Sequence, residues 1–516
     1  MLMGTLPITA PITVKHDADY VFYELTRSLC PTCRQVIDAQ ILLRDNKVYM
    51  RKRCLEHGVF EALVYGDAQA YTASARFNKP GTIPLQYSTA VEHGCPHDCG
   101  LCPDHQQHAC VGIIEVNSAC NMACPLCFAE AGAGFNLTLA EVEGILDHFV
   151  ATEGHPEVVQ FSGGEPTIHP DIVPMLRAAK KRNIRNVMLN TNGKRIAHDD
   201  GFLEALAELR PAIYFQFDGF EAETYRVLRG EPDILPEKLR ALDRLAEIDC
   251  DVMLVPAIER GVNEHEVGRI VSFALQHPAV RGINFQPAFH SGRHGEHDPL
   301  QRLTIPDVIA LIQEQTGGQF LKSDFVPVPC CFPTCNSVTY AYVDGEVVTP
   351  IPRLLNVNDY LDYVTNRAMP DLAGDLKSAL EGLWSSSAVP GTAKAAGDFS
   401  LTCAACGLPD GGLDLGTLAN HIFMIMLQDF MDPWTFNQKN VMKCCKEILL
   451  PDGKQIPFCA YNNVGYREQA RTQLATRQRA RAAAEQAQRP FKPPPLTFDF
   501  GRAAGGEPQA AGRQKP

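Results

Sequence analysis

This 516-residue sequence has no long apolar run and fewer positive than negative charges. A transmembrane helix needs about 18 or more consecutive apolar residues, and no stretch approaches that length, so we expect no transmembrane segment. The formal net charge of -13 argues against nucleic acid as a partner, because phosphate binding requires a basic surface. The N-terminus lacks the basic-then-apolar pattern of a secretory signal. We therefore expect a cytoplasmic protein.

Cysteine, by contrast, is abundant, with 19 residues. Without an export signal, disulfides are disfavoured, because the cytosol keeps thiols reduced. Many of the cysteines are only two or three residues apart. Neighbours this close bridge one another poorly but converge readily on a metal. The composition therefore predicts a metalloprotein.

From residue 111 onward, predicted strands and helices alternate. Six such units up to about residue 290 indicate parallel strands joined by right-handed crossovers. The prediction is an α/β fold, a partial (βα)6 TIM-type barrel with cysteine-rich N-terminal and C-terminal metal-binding domains. The expected domains are 15–110 (N-terminal metal-binding), 111–295 (barrel), 296–465 (C-terminal cluster domain) and 466–516 (a helix and a disordered tail).

The strand VGIIEVN runs into a loop that carries Cys120, Cys124 and Cys127. In barrels of parallel strands, the carboxyl ends of the strands host the chemistry. Three thiolates can each bind one iron of a cubane cluster, and the fourth iron can then accept a small molecule. A zinc site or a plain electron carrier is the alternative.

The sequence FSGGEP ends the next predicted strand. Gly163 and Gly164 allow the backbone to approach a ligand closely. Glu165 offers a carboxylate to a ligand ammonium group, and Pro166 fixes the bend.

Together, these two motifs resemble the radical S-adenosylmethionine (SAM) superfamily. The resemblance implies a [4Fe–4S] cluster whose open iron is chelated by the methionine part of SAM, while Glu165 and neighbouring backbone hold the amino group. One electron then yields methionine and a 5′-deoxyadenosyl radical that abstracts hydrogen from substrate. Leu126 stands where the superfamily often has an aromatic residue, and Phe128 is the candidate replacement. Further candidate SAM contacts, by position in the pattern, are Asn190, Thr191, Asn192, Gln216, Asp218, Tyr225, Arg229 and Gln286.

Most of the remaining cysteines form three groups. Cys30, Cys33, Cys54 and His57 have the spacing of a zinc-ribbon or rubredoxin-like knuckle that holds zinc or iron, with a cysteine from elsewhere as the alternative to His57. Cys250 is expected to be packed in the core, and Cys403 and Cys406 have no assignment. Two auxiliary [4Fe–4S] sets are predicted, with zinc as the alternative for the first: Cys95, Cys99, Cys102 and Cys110; and Cys331, Cys335, Cys445 and Cys459, in which Cys330 and Cys444 are possible replacements.

The cysteine segments taken together are similar to those of tetraether lipid synthases and related proteins described as pterin methyltransferases. This resemblance implies an N-terminal mononuclear site, the radical cluster and two auxiliary clusters, and we expect a reductant such as flavodoxin or ferredoxin.

The predicted reaction is C–C bond formation on a lipid-like substrate. The alternatives are methylation of a pterin or another small molecule, and a non-catalytic iron–sulfur carrier.

Two segments have weaker functional signals. The apolar segment 421–436 is interpreted as a buried helix, with the alternative that it lines a lipid cavity or contacts a membrane surface peripherally. His290, His294 and His297 follow the sixth predicted strand and are interpreted as solvated loop residues.

Overall fold

A computed structural model describes residues 17–353 apart from 82, 133 and 330, the short strands 400–401 and 413–414, and residues 421–486. The predictions for Cys330, Cys403, Cys406 and the C-terminal tail lie outside these residues.

The N-terminal region is a four-stranded antiparallel sheet in the order β1-β2-β3-β4. Asp45 and Asn46 turn the chain between β2 and β3 with φ of 50° and 54°, the left-handed conformation that two-residue hairpins favour. Strands β2 and β3 therefore form a β-hairpin. Helix α1 begins where the Asp67 side chain accepts hydrogen bonds from two backbone N–H groups. The elements are β1 (Val21–Leu29), β2 (Val36–Arg44), β3 (Lys47–Cys54), β4 (Gly58–Tyr65) and α1 (Ala68–Ser74).

The centre of the molecule is the predicted α/β barrel sheet, whose strands pair in parallel from β5 to β11. Cys250 is buried before β9 and its Sγ donates to Pro211 O at 3.2 Å. The strands are β5 (Val111–Asn117), β6 (Val158–Gly163), β7 (Asn186–Thr191), β8 (Ala212–Gln216), β9 (Val252–Val255), β10 (Ala257–Ile258) and β11 (Val280–Pro287). The helices are α2 (Leu139–Glu153), α3 (Ile172–Lys180), α4 (Lys194–His198), α5 (Asp200–Leu209), α6 (Ala222–Arg229), α7 (Leu235–Glu247) and α8 (Val267–Gln276).

Two strands from the C-terminal region extend this sheet to eight parallel strands. β17 (Ile422–Gln428) pairs with β11, and β18 (Lys446–Leu449) pairs with β5. Within the described residues β17 and β18 do not pair with each other, so the barrel stays open there. The interpretation of 421–436 as a helix is wrong, because a short apolar run cannot distinguish a buried strand from a buried helix.

The other C-terminal elements surround the sheet. Antiparallel β13 and β12 continue the sheet beyond β17, and β19 continues it beyond β18. Among the described residues, no helix combines the length and apolar character of a membrane span. These elements are α9 (Ile305–Gln315), β12 (Val326–Pro327), β13 (Asn336–Asp344), β14 (Val347–Pro350), β15 (Ser400–Leu401), β16 (Leu413–Asp414), α10 (Gln438–Met442), β19 (Gln455–Pro457), α11 (Phe458–Asn463) and α12 (Tyr466–Gln486).

Candidate active site

The loop after β5 carries Cys120, Cys124 and Cys127, and all three line a cavity at the carboxyl ends of the parallel strands. Hydrogen bonds to Arg293, which follows β11, hold this loop in place. Cys127 N–H donates to Arg293 O at 2.8 Å, and Arg293 Nε donates to Cys124 O at 2.7 Å. Gly292 permits the contact, because its φ is +67° and a Cβ there would lie 2.7 Å from Cys127 O.

The glycine pair at the end of β6 packs directly against the backbone of the same cysteine loop. A Cβ on Gly163 would lie 2.2 Å from Asn117 O, and one on Gly164 would lie 2.1 Å from Ala119 O. Gly164 N–H donates to Asn117 O at 2.9 Å, and Glu165 N–H donates to Ala119 O at 2.8 Å. Both glycines line the cavity, and their small size is required by the cysteine loop as well as by any ligand.

The Glu165 carboxylate is buried at the cavity wall, with 2% of the residue exposed. Its Oε1 accepts from Thr167 N–H (3.1 Å), Thr167 Oγ1 (2.6 Å) and Thr191 Oγ1 (2.7 Å). Among the residues that the structure describes, its Oε2 accepts one bond, from Asn192 N–H at 2.8 Å. Burial raises the carboxyl pKa. Because each carboxylate oxygen has two lone pairs, Oε2 keeps acceptor capacity for an ammonium group.

Most other predicted SAM contacts also reach the cavity, but three lie elsewhere. Asp218 is fully buried and accepts from Arg229 Nε at 2.7 Å. Tyr225 is fully buried and its hydroxyl donates to Gly219 O at 2.9 Å. Pro166 begins a single 3-10 turn. The structure therefore places these three residues in support of the wall. The cavity-lining members are Asn190, Thr191, Asn192, Gln216, Arg229 and Gln286.

Two polar residues at this site were not predicted from the sequence. Lys238 on α7 is buried, and its Nζ donates to Asn192 O (3.2 Å) and to Gln216 O (2.8 Å). Burial lowers the pKa of Lys238 to about 8. Tyr214 lines the cavity. It is two residues before Gln216 on β8 and therefore on the same face, a signal that the sequence contained.

The hydroxyl of Tyr214 accepts two N–H bonds, from Asn284 Nδ2 at 2.5 Å and from Gln286 Nε2 at 2.7 Å. Asn284 Nδ2 also donates to Gln428 Oε1 at 2.9 Å. A phenol that accepts two bonds has its own O–H left to donate. Tyr214, Gln286 and Gln428 therefore form a hydrogen-bonding wall on one side of the cavity.

Aromatic side chains form another part of the lining. Phe128 stacks on Phe289 with ring centroids 5.7 Å apart and meets Phe458 edge-on at 5.2 Å. Phe128 and Leu126 both line the cavity, so an aromatic side chain is present here two positions after the place that the superfamily pattern gives it.

The knuckle residues Cys30, Cys33, Cys54 and His57 converge, with ligand atoms all within 4.8 Å of one another. Cys33 Sγ and Cys54 Sγ are 4.0 Å apart, close to the roughly 3.8 Å edge of a tetrahedral zinc–thiolate site. Cys54 Sγ and His57 Nδ1 are 3.4 Å apart. His57 is therefore in place as the fourth ligand, and the donor set fits one tetrahedral metal ion.

The first predicted auxiliary set is brought together only in part. Cys95, Cys99 and Cys102 line one small cavity. Burial and the neighbouring Cys95 raise the pKa of Cys102, and Cys95 also raises that of Cys99. Cys110 lies at the start of β5, where its Sγ accepts from Gln107 Nε2 at 3.5 Å.

The second predicted set gathers beside β13 and α11. Cys331 Sγ accepts from Asn336 Nδ2 at 2.9 Å. Burial and then the thiols of Cys331 and Cys459 raise the pKa of Cys335. Burial, Glu447, Cys459 and Cys335 raise that of Cys444. Its neighbour Cys445 is buried just before β18, and the choice between these two cysteines as the ligand stays a prediction.

Comparison with known proteins matches two parts of the chain to families. Residues 22–66 match the HMPTM N-terminal zinc ribbon domain, and residues 114–274 match the radical SAM superfamily. The 7,8-dihydro-6-hydroxymethylpterin dimethyltransferase of Methanocaldococcus jannaschii is 34% identical over 481 residues, covering 86% of this chain and 94% of that protein. The chain belongs to the radical SAM superfamily, in the family of this methyltransferase.

More distant radical SAM relatives match shorter parts. A probable GTP 3′,8-cyclase of Saccharolobus islandicus is 26% identical over 289 residues, covering 51% of this chain and 89% of that protein. Streptococcus suis SuiB bound to S-adenosylmethionine aligns over 40% of this chain and 47% of its own, with 16% identity and a TM-score of 0.33. The predicted superfamily and fold class are confirmed, and this radical SAM protein is an enzyme. Its likeness to tetraether lipid synthases stays a prediction.

The donor set of the cavity fits the iron–sulfur cluster that the superfamily implies. Burial raises the pKa of Cys120 to about 12 and also raises that of Cys124. Buried thiols of this kind are stable as thiolates only beside a cation, and iron supplies one. The three thiols and the Glu165 carboxylate line the same cavity. Cys120, Cys124 and Cys127 would hold the cluster, and Glu165 would hold the amino group of SAM.

Proposed function

We propose that this radical SAM enzyme transfers a methyl group to a carbon atom of a pterin or a similarly planar, nitrogen-rich small molecule. The M. jannaschii relative, whose name states such an activity, aligns with nearly the whole of its length. The observation that carries the proposal is the polar wall of the cavity, formed by Tyr214, Gln286 and Gln428.

This wall suits a heterocycle better than a lipid chain. The Tyr214 hydroxyl is aligned by two amides and donates toward an acceptor, and a pterin ring offers several. Lys446 also lines the cavity. The aromatic side chains of Phe128 and Phe289 provide apolar faces for a flat ring. Joining lipid chains instead requires a long apolar surface, and an acyl chain would leave these polar groups without partners.

The cluster and SAM, when bound, supply a radical that removes a hydrogen atom from the substrate. The chain's own residues position the reactants. Glu165 Oε2 and the backbone after β7 would hold the amino group of SAM, and the Arg229 guanidinium, paired with Asp218, would bind its carboxylate. Lys238 Nζ donates to the backbone oxygen and the side-chain oxygen of Gln216 and so holds that residue in position.

The remaining metal sites complete the proposal. The knuckle holds one zinc or iron ion. The two auxiliary cysteine groups each hold a [4Fe–4S] cluster, with Cys444 in the second group. A cluster can exchange one electron with a substrate radical, and a flavodoxin- or ferredoxin-type reductant supplies electrons to the enzyme.

The test is anaerobic turnover of the iron-reconstituted enzyme with a reductant, SAM labelled in its methyl group, and 7,8-dihydro-6-hydroxymethylpterin. We expect 5′-deoxyadenosine and a pterin that has gained a methyl group. Retention of the label in that methyl group identifies SAM as the methyl source, and an unlabelled methyl group identifies another one-carbon donor.

Cys124→Ala is the control for this test. It should abolish 5′-deoxyadenosine formation and leave the iron of the other cysteine groups largely in place. Two substrate molecules joined by a C–C bond would contradict methyl transfer and support the coupling reaction. A reduced wild-type enzyme that does not cleave SAM would contradict the assignment of the cluster.

A further inference from the structure

Beyond the cysteine groups, two histidines and an aspartate converge behind the cavity wall. Ligand atoms of His290, His297 and Asp432 all lie within 4.8 Å of one another. His290 follows β11, His297 lies farther along the same loop, and Asp432 lies after β17. The three residues thus join two segments that are distant in sequence. His290 and Asp432 are 6% and 1% exposed.

Some polar atoms of this group have no hydrogen-bond partner among the described residues. Among the described residues, His290 Nδ1 and His297 Nε2 are buried and have no hydrogen-bond partner. Asp432 Oδ1 accepts from Trp434 N–H, Thr435 N–H and Thr435 Oγ1, at 2.9 to 3.0 Å. Within the described part of the chain, its Oδ2 accepts one long bond of 3.3 Å, from His290 N–H. In the neutral tautomers that leave His290 Nδ1 and His297 Nε2 unprotonated, one carboxylate oxygen and two imidazole nitrogens therefore have lone pairs for a ligand.

We propose that His290, His297 and Asp432 bind a divalent transition-metal ion, at a site separate from every cysteine group. Two imidazoles and one carboxylate are a donor set that suits Zn²⁺ and Fe²⁺, and they leave further coordination positions for water. The proposal does not depend on the proposed substrate.

The surroundings of His290 support this site. His290 Nδ1 is 3.8 Å from Asp432 Oδ2, while its Nε2 is 3.5 Å from Glu259 Oε2. A ligating histidine commonly presents its second ring nitrogen to a carboxylate, which fixes the tautomer. Glu259 is the positioning residue in this arrangement. Three cations lie near Asp432: Arg302 is paired with Asp429, Lys52 donates to Pro433 O and Trp434 O, and Arg34 donates to Asn463 O.

The two histidine rings stack face to face, with centroids 3.6 Å apart and an angle of 4° between the planes. The lone pairs of parallel rings lie in parallel planes. Metal binding therefore requires the half-buried His297 to rotate out of the stack.

An ion pair between His290 and Asp432 is the competing explanation. It accounts for two of the three residues but leaves His297 Nε2 buried without a partner, which carries a desolvation cost. A metal ion satisfies all three. The metal ion would also stabilise the cavity wall. Phe289 precedes His290, Phe430 lies two residues before Asp432, and both line the cavity. Their rings contact each other with centroids 5.0 Å apart.

The test uses the full-length, cluster-reconstituted enzyme after dialysis against buffered Zn²⁺. Zinc is counted by elemental analysis and its ligands are identified by X-ray absorption. We expect two zinc ions in the wild type, one in the knuckle and one with only nitrogen and oxygen neighbours at about 2.0–2.2 Å. His297→Gln should lose the second ion and keep the first. His294→Gln, which changes an exposed histidine of the same loop, is the matched control and should keep both.

Glu259→Gln provides a graded measurement. Loss of an outer carboxylate typically weakens metal binding about 10- to 100-fold, and we expect an affinity loss of that size with both zinc ions still bound at saturation. A wild type that binds only the knuckle zinc, or a His297→Gln variant that binds as much zinc as the wild type, would overturn the proposal.

Discussion

Glu165 shows how much of this site is built by hydrogen bonds to a single side chain. Four donors from two loops converge on its carboxylate. Three of them occupy Oε1, so the carboxylate is rigid before any ligand arrives. A site whose acceptor is already fixed does not have to spend binding energy on ordering it.

Replacing Glu165 with Gln should therefore impair both folding and SAM binding. The amide presents an N–H group either to Asn192 N–H or to the threonine donors, leaving buried donors unsatisfied. We expect a loss of about 1–3 kcal/mol in the free energy of unfolding and at least about tenfold weaker SAM binding, or roughly 1.4 kcal/mol. Thermal unfolding and equilibrium dialysis with labelled SAM measure these effects. Glu208→Gln, which alters an exposed ion pair, should leave both unchanged.

Tyr214→Phe tests recognition of the substrate separately from SAM chemistry. The variant removes the acceptor of Asn284 and Gln286 and the donor that faces the cavity. We expect about a tenfold rise in the KM for substrate, matching the loss of roughly 1.4 kcal/mol of binding, while 5′-deoxyadenosine formation continues. An unchanged KM would show that Tyr214 does not contact the substrate. Tyr87→Phe, at an exposed position, is the control.

At the scale of elements, the cysteine loop depends on segments that are far away in sequence. Its backbone packs on the end of β6 and bonds to residue Arg293 beyond β11. Gly292 makes the second contact possible. The loop after β11 thus helps to position the cysteine loop after β5.

Gly292→Ala should displace the cysteine loop. Its φ of +67° is unfavourable for alanine, and the new Cβ would meet Cys127 O at 2.7 Å. Strain of this kind costs about 1–3 kcal/mol. We expect lower iron occupancy of the radical cluster, detected by its electron paramagnetic resonance signal on reduction. In Gly295→Ala the added Cβ meets nothing within 4 Å, and full occupancy is the expected result.

The sequence allowed the six βα units to be predicted, because alternation is a local signal. It did not reveal β17 or β18, since their parallel pairing with β11 and β5 joins segments more than a hundred residues apart. Within the site, motif positions such as Glu165 were predictable. Lys238 was not, because a lysine on an amphipathic helix normally points to solvent. The convergence of His290 with Asp432 likewise depends on tertiary structure.

At the scale of the whole molecule, the N-terminal sheet is docked on the segment that follows β17. Lys52 Nζ donates to Pro433 O at 2.7 Å and to Trp434 O at 2.8 Å. Phe60 meets the Trp434 ring edge-on at 5.4 Å. The zinc-ribbon region thus contacts the chain close to Asp432 and the cavity wall.

Removing the knuckle metal should loosen this docking and spare the barrel. Cys33→Ser deletes one of four ligands, and metal binding at such sites is coupled to local folding. We expect loss of about one metal equivalent and faster amide hydrogen exchange across β1 to β4. Thr32→Ser, at the exposed neighbouring position, should behave as wild type. Equal exchange in both variants would contradict a structural role for the metal.

The placement of β17 and β18 also sets an order of events during synthesis. Residues 422–449 supply both outer parallel strands of the barrel, and Cys459 follows them. On the ribosome, strands β5 to β11 emerge first with both flanks of their sheet exposed. The cavity is complete only after Phe458, which lines it, has emerged. Iron–sulfur cluster delivery to Cys120, Cys124 and Cys127 is therefore expected only after these C-terminal strands have paired, and until then the exposed edges of the sheet are liable to aggregate.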